Sequence, residues 1–458
     1  MSILALPSEV LCQILEHGAW SETAKERQRQ KAPPFAETAS HVCRAWRETT
    51  LAFHGLWSSI DFHLTSSMQP CCDHPRHKAY LARSGSCALD IEISIGDYHG
   101  QTDLDGSSLD NQAIYDGAWI ALSWATDHIG RWRRLTIYLD ASLFAGNIAT
   151  CFSDLKAPSL VSFQVLRQTY GHEYLDELPL VFLDATPCLQ YYRTPQACSY
   201  RPKRFGQLAT IHLGEWTADP RGSPSLWMAE MWSASHLLTH LSLIYCHLLL
   251  PDEIVTFPAL RSLHLSLPGA MDVLPAARMA TPVLEHLHIN INGRHLGPLL
   301  DAVRAHRHGP YMRLRRLHLA QFRLKSRDVE TLFFLMPQVE VVHIEVGPSI
   351  LVPRLVDKAV WPRLRRIAVM DSADAAVLQP VVRARAGTLE TLSTDLYTGD
   401  DPSGFDSVPQ RNDVCAMQRL VQMIPLNPCF DDYWRSCTED RGGRDPCEDE
   451  FPRPRYLA

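Results

Sequence analysis

The sequence predicts an α/β fold in which parallel strands and helices alternate as a solenoid, preceded by a small all-α segment. The first observation is a recurring apolar phrase whose copies begin 24 to 30 residues apart, at Leu260, Leu284, Leu314, Val339, Leu364 and Leu389. The second is a segment of helical apolar spacing between successive copies. A period of this length is typical of repeat proteins, in which each unit buries its apolar face against its neighbours.

Each copy of the phrase predicts a short strand. In the copy at Leu314, the second apolar residue is Leu317 and the third is Leu319, with the polar His318 between them. This alternation is typical of a half-buried strand. In the copy at Leu389, Thr394 takes the third position. Further copies are predicted at Trp132, Leu135 and Ile137, at Leu160, Phe163 and Val165, at Leu208, Ile211 and Leu213, at Leu238, Leu241 and Leu243, and more weakly over Leu189–Tyr192.

Helical spacing predicts the connecting helices. Apolar residues recur every three or four positions over Leu296–Val303, Val329–Met336 and Val377–Val381. A helix is also predicted over Ala118–His128. The residues from Val414 to Ile424 keep the same spacing and predict a helix that caps the last repeat.

Two short amphipathic helices are predicted near the N-terminus. The first follows Pro7, which is suited to a first helical turn, and places Leu11, Ile14 and Leu15 on one face. A polar interval over His17–Ala39 predicts a loop, and a second helix then runs from Val42 to near Gly55. Two helices of this size cannot bury a core of their own, so we expect them to pack against something else.

The order of these N-terminal motifs resembles an F-box. Leu-Pro-x-Glu-Val-Leu-x-x-Ile-Leu begins at Leu6, Val-Cys-Arg-x-Trp-Arg begins at Val42, and Leu-Trp-Ser-Ser-Ile begins at Leu56. The repeated phrase is similar to a degenerate leucine-rich repeat, so the chain resembles the fungal F-box proteins with leucine-rich repeats. That resemblance implies docking to a Skp-type adaptor, and through it to a cullin, by Leu6, Pro7, Val10, Leu11, Ile14, Leu15, Val42, Cys43, Trp46 and Arg47.

Strand alternation also predicts a row of polar positions on an exposed concave face. The row consists of His212, Ser242, His264, His288, His318, His343 and Ala368. One interpretation is that histidine is simply tolerated at an exposed strand position. The other is a partner surface whose charge changes between about pH 5 and 7, where imidazole titrates.

Arginines beside that row suit an acidic or phosphorylated partner. They are Arg134, Arg316 and Arg366, and guanidinium groups bind carboxylates and phosphates through paired hydrogen bonds. The alternative is an ordinary solvated surface. The candidate residues for binding a protein substrate, of unknown identity, are therefore His264, His288, Arg316, His318, His343 and Arg366.

No cofactor, metal site or catalytic site is expected. Cys71, Cys72, His74 and His77 are close in sequence, but adjacent cysteines seldom bind one ion, so a loop is predicted there. The sequence contains no nucleophile elbow, phosphate-binding loop, dinucleotide fingerprint or zinc-protease motif. We expect a non-catalytic protein.

Bulk properties limit the cellular setting. A formal charge of −7 and a pI near 6.3 argue against a general nucleic-acid binder. The 13 cysteines lack the regular spacing of a secreted disulfide framework. No signal peptide and no apolar run long enough to span a membrane is found, which predicts a cytoplasmic or nuclear protein.

Together these observations predict four regions. They are an F-box at 1–60, a connecting segment at 61–128 with a strand over Arg83–Ile95 and a helix that lead into the solenoid, a degenerate leucine-rich-repeat domain at 129–398, and a tail at 399–458 that is loosely ordered apart from its capping helix. The predicted function is that of a substrate-recognition subunit of an SCF-type cullin–RING ubiquitin ligase. The alternative is a leucine-rich-repeat interaction scaffold with no ligase role.

Overall fold

The computed structural model divides into two compact units. Its described residues are 7–21, 34–64, 75–95, 123–139, 156–167 and 186–194 in the first unit, and 207–214, 232, 235–244, 254–267, 278–305, 311–345, 348–370, 375–394, 417 and 420–425 in the second. The predictions for Leu6, for residues 71–74 and 118–122 and for Val414 lie outside these ranges.

The first unit combines N-terminal helices with a parallel sheet. Its helices are α1 (Ser8–Ser21), α2 (Phe35–Ser40), α3 (Arg44–Ala52) and α4 (Pro75–Arg83), with 3-10 helices at His54–Trp57 and Ile129–Arg131 and a helical turn at 123–126. Its strands are β1 (Ser59–Leu64), β2 (Leu89–Ile95), β3 (Trp132–Leu139), β4 (Ser162–Arg167) and β5 (Tyr191–Thr194). These strands pair in sequence order, each parallel to the next.

The sheet of the first unit begins earlier than the sequence predicted. Ile60 and Phe62 on β1 pair with Ile91 and Ile93 on β2, which continue in register into β3. The boundary at residue 60 is therefore wrong, because it cuts through β1. The strand predicted over Arg83–Ile95 in the connecting segment is confirmed as β2, which belongs, with β1, to the same sheet as β3.

Trp57 joins the N-terminal helices to this sheet. Its buried indole N–H donates a hydrogen bond of 2.9 Å to the carbonyl of Thr50 in α3. From α4, Tyr80 packs edge-on against the same ring, and the guanidinium of Arg83 lies 4.3 Å from its centroid. Trp132 makes the same kind of bond. Its indole N–H donates to the carbonyl of Ala125 at 3.0 Å, and in both cases the acceptor lies seven residues before the tryptophan.

The second unit alternates strands with helices. The strands of its main sheet are β6 (Thr210–Leu213), β7 (His240–Ile244), β9 (Ser262–Ser266), β11 (His286–His295), β12 (Arg316–Arg323), β13 (Val341–Glu345), β14 (Arg366–Met370), β15 (Thr391–Thr394) and β16 (Gln422–Pro425). The short strands β8 (Val255–Thr256) and β10 (Met279–Ala280) pair separately. The helices are α5 (Gly297–Ala305), α6 (Ser326–Leu335), α7 (Pro348–Arg354) and α8 (Ala375–Arg385).

The apolar phrase fixes the register of this sheet. Leu287, Leu317 and Val342 occupy equivalent positions on neighbouring strands, and all are buried. Thr394 is buried at the third position of its strand, paired with Val369, as predicted. The strands of the main sheet follow one another in sequence order, and each is parallel to the next. The arrangement within each unit is compatible with the predicted solenoid of strands and helices.

Proline in the phrase favours the turn that leads into each strand. The amide of Leu260 donates to the carbonyl of Phe257, and the amide of Leu364 donates to that of Trp361, each three residues back. Pro258 and Pro362 occupy the second position of these turns, where the fixed proline φ angle is favourable. The amide of Leu314 makes the same bond to Tyr311 without a proline.

Three local predictions are wrong. The segment around Met423 forms β16, parallel to β15, and not a capping helix, so it continues the sheet. The region after Cys72 contains α4 from Pro75 onward, where a loop was predicted. The interval His17–Ala39 contains the end of α1 and most of α2.

Among the described helices, none has the length and apolar character needed to cross a membrane.

Candidate functional site

The N-terminal helices divide the predicted adaptor-binding residues into buried and exposed sets. Leu11 and Leu15 on α1 are buried, as is Trp46 on α3. Val10 and Ile14, also on α1, are each 38% exposed. Residues four apart lie above one another on a helix, so α1 turns one apolar stripe inward and presents a neighbouring one outward. Ile14 therefore belongs to the outward stripe, although the sequence grouped it with Leu11 and Leu15.

The second part of the motif adds one more exposed apolar side chain. Val42, in the turn before α3, is 55% exposed, while Cys43 is half-buried. Arg47 is exposed, and its Nε donates to the carbonyl of Ser40 at 2.9 Å, which fixes α3 against the end of α2. Pro7 is exposed at the start of α1, and Leu6 lies outside the described residues.

Comparison with known proteins gives no match for this chain, either to a protein-family model or to a curated protein. The function therefore has to be argued from the residues and their geometry.

Four histidines on adjacent strands form a face-to-face stack, the histidine column (His264, His288, His318 and His343). The successive ring centroids are 4.0, 3.9 and 4.0 Å apart, and the ring planes are inclined by 10°, 19° and 14°. The parallel register places these side chains directly opposite one another. Each imidazole therefore covers its neighbour.

The predicted exposure of these histidines is wrong. Their exposed fractions are 1%, 5%, 3% and 5%. Burial lowers the pKa of His264 and His288 well below the ordinary histidine value, and neighbouring histidines lower it further. Two unit charges about 4 Å apart would repel by about 4 kcal/mol at an effective dielectric constant of about 20. Burial and the neighbouring histidines therefore both oppose protonation of His264 and His288, and these side chains do not form the exposed surface that the proposed change of charge requires.

Polar groups border the column at both ends. Ser242 Oγ lies 3.1 Å from His264 Nδ1, and His212, further along the row, is half-buried. After His343 the row continues with Ala368, so the stack of rings ends there. At this end, the Nε2 of His318 lies 2.9 Å from the Oε1 of Glu345.

Glu345 is a site residue that the sequence analysis missed. It lies two positions after His343 on β13, so the two side chains share one face of the sheet. His318, His343 and Glu345 each offer one ligand atom, and these three atoms lie within 4.8 Å of one another. Two histidines and a carboxylate on one face of adjacent strands were the signal that could have revealed the cluster.

The predicted arginines remain at the surface of the second unit. Arg316 and Arg366 are exposed and lie on the same face as the histidine column, two positions before His318 and Ala368. The Nε of Arg366 is 3.9 Å from a carboxylate oxygen of Glu390. In the first unit, Arg134 is half-buried, and its neighbour Arg133 forms a salt bridge with Asp90 at 2.5 Å.

Proposed function

We propose that this protein is the substrate-recognition subunit of an SCF-type cullin–RING ubiquitin ligase. The N-terminal helices dock a Skp-type adaptor, and the repeat sheet binds a protein substrate. The observation that carries the proposal is the outward apolar stripe of α1, formed by Val10 and Ile14 at 38% exposure each, in the segment whose motif order resembles an F-box.

The burial pattern supports a docking role for this stripe. Leu11 and Leu15 anchor α1 to α2 and α3, so the helix is held in place without its partner. Val10 and Ile14 remain available on the outside, and Val42 adds a third exposed apolar side chain. Apolar residues that become buried at the centre of a protein interface each contribute about 1 to 2 kcal/mol or more to binding.

The substrate side of the proposal rests on Arg316 and Arg366. Both are exposed on one face of the second unit, whereas the four histidines of the column on that face are buried. Guanidinium groups favour carboxylate or phosphate partners, so an acidic or phosphorylated segment is the preferred substrate class. The chemistry of ubiquitin transfer belongs to the partner proteins.

Adaptor binding provides the direct test. The full chain is co-expressed with a Skp-type adaptor, and complex formation is measured by pull-down and by titration calorimetry. We expect Ile14→Asp and Val42→Asp to weaken adaptor binding at least about tenfold, because a carboxylate would be buried in an apolar interface. Both side chains are exposed, so the fold should persist, which circular dichroism and a thermal melt check.

A matched control comes from the second unit. Ile350 on α7 is 41% exposed, similar to Ile14, and Ile350→Asp should leave adaptor binding unchanged. If the wild-type chain does not bind the adaptor while it remains folded, the ligase proposal fails, and a repeat scaffold without ligase role becomes the better description. Equal binding by wild type and Ile14→Asp would refute the role of α1.

A further inference from the structure

Two histidines and a carboxylate from adjacent strands converge at one end of the histidine column. His318 lies on β12, and His343 and Glu345 lie on β13. The imidazoles of His318 and His343 are buried and stack at a centroid distance of 4.0 Å, while the side chain of Glu345 is 23% exposed. One potential ligand atom from each residue lies within 4.8 Å of the other two.

The donor types suit a particular class of ion. Neutral imidazole nitrogens and one carboxylate oxygen are ligands that zinc and similar divalent transition metals prefer, whereas magnesium and calcium prefer oxygen alone. The Nδ1 of His318 has no hydrogen-bond partner among the described residues, and its Nε2 faces Glu345.

We propose that His318, His343 and Glu345 bind one zinc-class divalent cation that links β12 to β13. The site departs from the expectation of a metal-free protein. Three protein ligands leave a fourth position of a tetrahedral ion for water.

Closing this site requires a small local change. Tetrahedral zinc with bonds of about 2.1 Å places its ligand atoms about 3.4 Å apart. The three ligand atoms, which lie within 4.8 Å of one another, therefore have to move closer together. In addition, the parallel rings of His318 and His343 cannot both direct a nitrogen at one ion between them. Rotation of the His343 ring about its Cβ–Cγ bond opens the stack at this end, and Glu345 can follow because its side chain reaches solvent.

Zinc titration of the full chain tests the proposal. The chain is first stripped with a chelator, and its reactive cysteines are alkylated, since thiolates also bind zinc. Calorimetry with zinc chloride should then show one site per chain, and zinc should raise the melting temperature, because an ion that binds only the folded state stabilises it. Magnesium chloride at the same concentration should produce neither effect.

Variants distinguish this cluster from other zinc ligands in the chain. Glu345→Gln preserves side-chain size, and we expect it to weaken zinc binding at least about tenfold, the loss that even an outer-shell substitution causes at many metal sites. His343→Gln should do the same. The control variants His212→Gln, in the same row, and Glu340→Gln, just before β13, should bind zinc like the wild type.

The results can overturn the proposal in two ways. Absence of a zinc site in the wild-type chain would leave the His318–Glu345 contact as a hydrogen-bonded pair only. Equal zinc affinity of the wild type and of a folded Glu345→Gln variant, judged by circular dichroism, would place the bound zinc elsewhere. Adaptor binding is measured separately, so neither result depends on the ligase proposal.

Discussion

The imidazole rings of His288 and His318 lie face to face on adjacent strands, with centroids 3.9 Å apart. The contact is shorter than the strand spacing of about 4.8 Å, so the rings lean together and exclude solvent from between them. The row that the sequence predicted to be exposed is therefore a buried stack of rings. Burial of an imidazole disfavours its charged form, so a buried histidine lowers the stability of the folded chain in acid.

Acid should destabilise the second unit below about pH 6.5. Burial lowers the pKa of His286 to about 4, with contributions from Arg316, His240 and Arg315. Between about pH 4 and 6.5 the unfolded chain binds a proton at this residue that the folded chain does not, so stability falls as the pH falls through that window. The melting temperature should therefore drop from pH 7 to pH 4.5.

The contribution of His286 to this drop is separable. His286→Gln removes the titrating group, so the melting temperature of the variant should fall less steeply between pH 6.5 and 4.5 than that of the wild type. Above pH 7 the difference between the two proteins should not change with pH. Identical slopes for the two proteins in the acidic range would contradict the assignment.

Leu15 and Ile14 should differ sharply in their effect on stability. Leu15→Ala leaves a cavity in the fully buried interface of α1, and we expect a loss of about 2 to 4 kcal/mol in the free energy of unfolding. Ile14→Ala, at an exposed position of the same helix, should cost less than about 1 kcal/mol. Urea denaturation followed by circular dichroism measures both, and similar losses would mean that α1 is oriented differently.

Arg385 should be essential for the loop that follows α7. Its guanidinium donates to the carbonyls of Leu355, Asp357, Val360 and Trp361. Arg385→Met leaves these acceptors without their donor, and we expect a loss of about 2 to 4 kcal/mol in the free energy of unfolding.

Arg383 supplies the matched control for Arg385. It lies on the same helix but is exposed, so Arg383→Met should change the free energy of unfolding by less than about 0.5 kcal/mol. Arg385→Lys should restore only part of the stability, because an ammonium has fewer donors and lacks the planar fork. If Arg385→Met has the same melting temperature as the wild type, water must satisfy the loop carbonyls that Arg385 binds.

Arg316 and Arg366 should strengthen binding of acidic segments. The probe is a fluorescein-labelled polyglutamate peptide, measured by anisotropy. Substitution of both arginines by Ala should reduce its affinity, and the remaining binding should depend less on salt, because fewer charges contribute. Arg313→Ala, at an exposed position outside the strands, is the control. Equal affinities of the double variant and the wild type would exclude this surface as the acidic-segment site.

The strands of the repeat region were predictable because the spacing of apolar residues in the repeated phrase matches the spacing of buried positions on a strand. Leu317 and Leu319 alternate with polar residues and are both buried, as the spacing predicted. The state of His318 between them was not predictable in this way. Its burial comes from the rings on neighbouring strands, which lie 25 to 30 residues away in sequence, and period-two alternation describes only one strand at a time.

The ends of the sheets were missed for a related reason. Trp57, Ile60 and Phe62 have the spacing of the repeated phrase and are buried, but Trp57 and Ile60 also complete the F-box motif and were assigned to it alone, while Phe62 was assigned to the connecting segment. Around Met417 and Val421, apolar spacing favoured a helix, yet the edge of β15 offers unpaired backbone groups that β16 satisfies. In the N-terminal helices, the sequence indicated which residues are apolar, but not which of two adjacent stripes on α1 would face inward.

The contacts of Trp57 have a practical consequence for chimeric proteins. Its ring is covered by Tyr80 and Arg83 of α4, and residue 60 lies inside β1, so a cut at residue 60 would uncover the ring and divide the strand. A transferable segment has to extend at least through Ile95, so that β1 keeps β2 as its neighbour and α4 still covers the Trp57 ring. The N-terminal helices can thus be transferred to another protein only together with the first two strands of the sheet.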